Sequence, residues 1–174
     1  MSKLKPPVNE NDQQTGNINA SITLVEYGDY QCPHCGHAHP LLKRFLEEYG
    51  NDVNFVFRNF PLQEIHPAAH ISALAAEAAG RQGKFWEMHD MIFEHQQNLN
   101  GHALLDFAER LSLDIQQFSS DWKNETIVEK VEKDFESGIR SGVNGTPSFF
   151  INGEKLMSYD GSYESLVEAV NIFR

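Results

Sequence analysis

Apolar and polar positions change period several times along the chain, and the changes outline its architecture. Residues 21–27 (SITLVEY) are β-rich, with Ile22, Leu24 and Val25 apolar and Gly28-Asp29 closing the run, which predicts a buried strand. From Pro33 to about Tyr49 the period lengthens to that of a helix. Leu41, Leu42, Phe45 and Tyr49 form its stripe, and Gly50-Asn51 ends it. Residues 53–60 (VNFVFRNF) alternate and are aromatic, predicting a second strand. Helical spacing then dominates, over residues 67–82, 84–96, 102–111, 115–122 and 125–141. The last of these carries Ile127, Val131, Phe135 and Ile139 at steps of four. Strand patterns return at 148–152 and 154–159 around Asn152-Gly153, a strong two-residue hairpin signal, and a final helix covers 162–173.

Without residues 63–141 the order is β-α-β–β-β-α. The expected fold is therefore α/β, with a discontinuous domain over 18–62 and 142–174 and an all-helical insertion over 63–141. Residues 1–17 are polar and contain Pro6-Pro7, which predicts a mobile N-terminal tail.

Composition narrows the function. Fourteen Lys and Arg against 25 Asp and Glu leave a net charge of −11, opposite to the basic face that nucleic acids or an anionic membrane surface select. No apolar run approaches the roughly 18–20 residues of a membrane span, and the longest, 68–79, is interrupted by His70, Ser72 and Glu77. The lysines near Met1 are followed by no apolar segment, so the sequence as written carries no signal peptide. The expected compartment is the cytoplasm, or an extracytoplasmic space if a signal was removed.

Cys32 and Cys35 are the only cysteines. A loop that short contributes little to stability when closed, so the pair is chemical rather than structural, either redox-active or metal-binding. Cys32-Pro33-His34-Cys35 follows a strand and opens a helix. Positions i and i+3 of a first helical turn are about 5–6 Å apart, within disulfide reach. Pro33 takes the first helical position, where its missing N–H costs nothing. Cys32 meets the free N–H groups and the dipole at the helix start, which favour a thiolate, whereas Cys35 points inward and keeps a higher pKa. The pair should comprise an exposed nucleophile and a buried resolving thiol, with His34 tuning the potential by about 30 mV per pKa unit.

The segment 25–35 (VEYGDYQCPHC) resembles the active-site segment of DsbA-family thiol–disulfide oxidoreductases. Residues 145–153 (GTPSFFING) resemble the cis-proline loop of that family, and 84–90 (KFWEMHD) a segment of its helical insertion. The resemblance implies a thioredoxin-like fold with a helical insertion. It makes Pro147 the cis-proline facing the cysteines and makes Glu26 a buried acid that relays a proton. Thr146 before the proline is more similar to the isomerases of the superfamily. Pro33, Thr146 and Pro147 are thereby expected to bind substrate, beside the catalytic residues Cys32, Cys35, His34 and Glu26. The implied partners are protein or peptide thiols and disulfides and an unidentified redox partner, with no cofactor.

Other readings are weaker. Cys32, Cys35 and His39 share a helical face while His34 and His37 point elsewhere, and three ligands on one face do not close a structural zinc site. His66 and His70 are four apart, but Pro67 stands where a metalloprotease needs Glu, leaving them a capping or surface role. Phe85, Trp86 and Phe93 suit the core of the insertion. A glutathione-dependent isomerase on the same fold usually lacks the second cysteine, which Cys35 supplies. A peptide-binding or chaperone module without turnover is the alternative from another class.

Overall fold

The computed structural model describes all 174 residues. The elements are β1 (Gln13–Gly16), β2 (Ile22–Gly28), α1 (Pro33–Tyr49), β3 (Val53–Asn59), α2 (Ala69–Gly80), α3 (Phe85–Glu94), α4 (Gly101–Arg110), α5 (Ile115–Trp122), α6 (Glu125–Arg140), β4 (Ser148–Ile151), β5 (Glu154–Lys155) and α7 (Tyr163–Asn171). A short 3-10 turn, Gln96–Asn98, joins α3 to α4. The strands form one sheet in the order β1-β3-β2-β4-β5. β2 and β3 run parallel across α1, and every other neighbour is antiparallel.

Strand alternation distributes the core. Ile22 and Leu24 face α1 and α7, packing with Phe45, Phe55, Leu166 and Val170. Val25 and Tyr27 face the other way, with Val56, Phe60, Val143 and Phe150. The same parity places Glu26 on the α1 face, where it is 1% exposed. The helices from α2 to α6 build a third core around Met88, Ile92, Phe107 and Phe118, which also takes in Tyr30, Cys32, Cys35 and Phe57. The insertion therefore packs directly on the cysteine pair. Side-chain caps from Asn100, Asp114, Asn124 and Ser162 start α4, α5, α6 and α7.

Three sequence expectations need correction. Residues 1–17 are not a free tail, because β1 pairs with β3 and Leu4 is buried in the second core. Asp12 and Arg58 fasten this segment with two charge-assisted hydrogen bonds of 2.8 Å, both side chains almost fully buried. Arg58 also donates to the carbonyls of Pro6 and Pro7. The strand expected over 154–159 is only the two residues of β5, since beyond Lys155 the chain leaves the sheet. Ile139 is 56% exposed although Ile127 and Val131 are buried. Steps of four on a helix of 3.6 residues per turn rotate about 40° each, so three steps carry Ile139 off the buried face.

Removing one partner of a buried ion pair strands the other charge at a cost of about 3–5 kcal/mol. Asp12→Ala should therefore lower stability by that amount. Urea melts check this, and a loss below about 1 kcal/mol would show that the N-terminal segment contributes nothing to the fold.

Candidate active site

After β2 the chain turns through residues 29–31 before Cys32 starts α1, and Asp29 organises that turn. Its carboxylate is fully buried. Oδ1 accepts from the backbone N–H of Gln31 (2.7 Å) and Cys32 (3.1 Å). Oδ2 accepts from the N–H of Leu62 (2.9 Å) and from Nδ1 of His66 (2.8 Å). Four donors hold one acid, which ties the cysteine turn to the start of the insertion. From the far side of the insertion, Gln96 Nε2 donates to the carbonyls of Tyr30 (3.0 Å) and Cys32 (2.7 Å). Gly36 leaves room for that carboxamide, which a Cβ there would strike. Asp29, His66 and Gln96 carry no local sequence signature of these roles. An acid three residues before a reactive cysteine was the one available signal.

Cys32 is the N-cap of α1, extended at φ −68° and ψ 123°, and Pro33 occupies the first turn as expected. The sulfur is less open than expected, since Cys32 is 4% exposed and Cys35 0%. The covering element is the loop before β4. Sγ of Cys32 lies 3.5 Å from the carbonyl oxygen of Thr146, and the Thr146–Pro147 bond is cis. Thr146 is 114 positions away in sequence, so the family resemblance, and no local pattern, pointed to this loop. Sγ of Cys35 accepts from the N–H of Asp29 at 3.5 Å. Pro33 and His34 are exposed on the rim. His34 and His37 line a cleft of about 280 Å³ with Pro147, Tyr159 and Asp160, and a second cleft of about 310 Å³ runs past Gly145, Thr146, Met157 and Tyr159. The structure thus brings Cys32, Cys35, His34, Pro33, Thr146 and Pro147 to one surface, with Glu26 beneath it.

The two thiols titrate in opposite directions. The Cys35 thiol, donating to the Cys32 sulfur, does most to lower the Cys32 pKa, and partial burial opposes it. The Thr146 side chain and the backbone N–H groups of Cys35 and His34 lower it further, to about 5. Oγ1 of Thr146 is buried with no other partner, so the ionised sulfur is the acceptor open to it. His34 contributes here through its main chain. Burial pushes Cys35 well above the ordinary thiol range, and the hydrogen bond to Cys32 and the charge of Glu26 push the same way. Burial first, and the Cys32 charge second, raise Glu26 to about 8. Its Oε2 has no hydrogen-bond partner to offset that burial.

A family model described as thioredoxin matches residues 8–171. Among curated relatives, the Na(+)/H(+) antiporter NhaA 1 of Salinispora arenicola is 42% identical over 92% of this chain and 24% of its own length. The Na(+)/H(+) antiporter NhaA of Herminiimonas arsenicoxydans is 38% identical over 93% and 25%. The chain spans about a quarter of the length of these curated relatives. A thioredoxin-like oxidoreductase from Silicibacter pomeroyi superposes with a TM-score of 0.81 at 25% identity, covering 95% of this chain and 94% of its own. Oxidised BdbD from Bacillus subtilis reaches 0.83 at 23%, covering 99% and 96%. The thiol-disulfide exchange protein alpha-DsbA2 from Wolbachia pipientis reaches 0.82 at 20%, covering 95% and 89%. The last two likenesses establish the fold.

The opposed shifts predict how stability responds to pH. Cys32, depressed to about 5, contributes stability that is complete above its unfolded pKa near 9 and lost as pH falls through 5. Glu26, raised to about 8, contributes stability that is complete below its unfolded pKa of 4.5 and lost as pH rises through 8. Between pH 5 and 8 the two slopes, each about 1.4 kcal/mol per pH unit, cancel. Glu26→Gln removes one of them. The reduced variant should therefore gain roughly 1 kcal/mol per pH unit relative to the parent across that window. Parallel profiles of the two proteins in urea melts would contradict the assignment. In the parent, thiolate absorbance near 240 nm should titrate with a midpoint near 5.

Proposed function

This chain belongs to the thioredoxin family, and from that membership and the geometry of its cysteines we propose that it is a thiol–disulfide oxidoreductase acting on protein or peptide thiols and disulfides. The observation that carries the reading is the pairing of Cys32 with a buried Cys35, under a carbonyl 3.5 Å from Sγ in the Thr146–Pro147 loop. The named activity of the Silicibacter pomeroyi oxidoreductase, which has the same fold, supports it.

The chemistry balances within the chain and its substrate. In the reducing direction the Cys32 thiolate attacks a substrate disulfide. Its S–S bond breaks, one substrate sulfur leaves as thiolate, and the other is joined to Cys32. That step removes the Cys32 charge, which had helped hold Glu26 protonated, so Glu26 gives up its proton to the departing substrate thiolate or to water, and the carboxylate so formed takes the proton of Cys35. Cys35 then attacks Cys32, the Cys32–Cys35 disulfide forms, and the second substrate sulfur departs reduced. Oxidation of a substrate dithiol is the reverse. Pro147 offers no N–H at the start of β4, so the backbone beside Cys32 presents the Thr146 carbonyl to an extended peptide.

The resting direction follows from the Cys32 pKa. With that thiol titrating near 5, ionisation at pH 7 favours the dithiol by ~3 kcal/mol, or ~60 mV for a two-electron couple. We assign the disulfide form as the more reactive one, a donor of disulfides that a redox partner must reoxidise. This chemistry suits an oxidising, extracytoplasmic compartment.

Insulin reduction by dithiothreitol should be accelerated by the parent and not by Cys32→Ser. Cys35→Ser should accumulate substrate held on Cys32 as a mixed disulfide. A parent no faster than Cys32→Ser would leave a peptide-binding module and overturn the proposal. In glutathione buffers the couple should lie tens of millivolts above the roughly −270 mV of thioredoxin. A value at or below that figure would reverse the direction.

A further inference from the structure

Between α1 and α3 three side chains converge that the thiol chemistry does not use. His39 lies one turn beyond Cys35 and is 6% exposed, and its Nε2 is buried without a hydrogen-bond partner. That nitrogen sits 3.5 Å from Oδ1 of Asp90, too far for a hydrogen bond of normal length. His89 is 4% exposed, and its Nδ1 is engaged by the hydroxyl of Tyr30 at 2.8 Å, which leaves Nε2 as the free ring nitrogen. One ligand atom from each of His39, His89 and Asp90 lies within 4.8 Å of the other two.

We propose that His39, His89 and Asp90 form a binding site for a divalent transition-metal ion of the Zn²⁺ type, joining α1 to the helical insertion. Tetrahedral zinc with nitrogen and oxygen ligands at about 2.0–2.2 Å spaces those ligands roughly 3.3–3.5 Å apart. The His39–Asp90 separation already has that value, and closing the remaining gaps takes shifts of about 1 Å. Tyr30 orients the His89 ring from the outer side, as a supporting partner does for a ligating histidine. His39 is stacked on Phe93, with ring centroids 5.0 Å apart, which fixes its plane. Asp90 is one-third exposed, so an ion can enter from its side and a water can complete the fourth position.

Two other charged groups face the site. Lys43 Nζ is 2.8 Å from Oδ2 of Asp90 and 3.7 Å from Oε1 of Glu94. Asp90 can serve both cations, with Oδ1 toward the metal and Oδ2 toward Lys43. The ammonium must weaken binding nonetheless, which gives the proposal a test of sign.

The disulfide-oxidised full chain is the protein to use, because its thiols cannot bind metal. Zn²⁺ competition against a chromophoric chelator should show one equivalent bound. Co²⁺ should give visible bands of a low-coordinate site. Asp90→Asn and His39→Gln should weaken Zn²⁺ at least about tenfold, whereas Lys43→Gln should tighten it. Misfolding weakens binding but does not tighten it, so Lys43→Gln and the surface variant Asp90→Asn decide the matter even if His39→Gln fails to fold. No bound equivalent in the oxidised parent, or binding unchanged in Asp90→Asn, overturns the proposal. So does binding lost only in His37→Ala, which would place the ion on the exposed rim.

Discussion

Cys32 and Glu26 are two acids held close together in an interior that admits charge reluctantly, so ionising one raises the cost of ionising the other. The hydrogen bonds around Cys32 decide the contest in favour of the sulfur, and the carboxyl stays protonated well above its ordinary range. Much of the surrounding structure serves that arrangement. Strand parity in β2 points Glu26 inward on the α1 face. Gly28 is small enough that its neighbours, the Phe57 ring and the Glu26 carboxyl, close over it without a gap. The first turn of α1 supplies amide hydrogens to the sulfur. On the proposed reading, joining the sulfur to a substrate removes that charge and lowers the cost of ionising the carboxyl.

The insertion is part of that arrangement rather than an ornament on it. Asp29 gathers the N–H of Cys32 and groups from Leu62 and His66, while Gln96 grips the carbonyls of Tyr30 and Cys32. Tyr30 is itself bonded to His89 on α3. The cysteine turn is therefore held from three points of the insertion, His66, His89 and Gln96.

What the sequence disclosed follows the range of the forces involved. The bounds of α1 were legible because Pro33, the apolar stripe and Gly50 are local signals, and the hairpin showed itself in Asn152-Gly153. Glu26 was legible through family resemblance alone, and strand parity in β2 explains its burial. The N-terminal strand was missed because its residues are polar and its stability comes from pairing with β3 and from Arg58. An arginine amid the aromatics of residues 53–60 was the clue, since a fully buried guanidinium requires an acid somewhere in the chain. The loop over Cys32 was legible only through family resemblance, since no local pattern joins Thr146 to a cysteine 114 positions away.

The N-terminal segment reaches further than its pairing with β3. Backbone hydrogen bonds join Leu4 to Gly153 and Ser2 to Lys155, and Lys3 bridges Glu154, so the segment that flanks β3 through β1 also crosses to β5. One short stretch of chain thus forms one border of the sheet as β1 and covers part of the other at β5. Such borders are where proteins recruit foreign strands and begin to aggregate. Displacing residues 2–4 would uncover the β5 border, whereas β1, continuous with β2, would stay paired to β3. Left in place, the segment makes the polar strand β1, rather than β3, the sheet border open to a foreign strand.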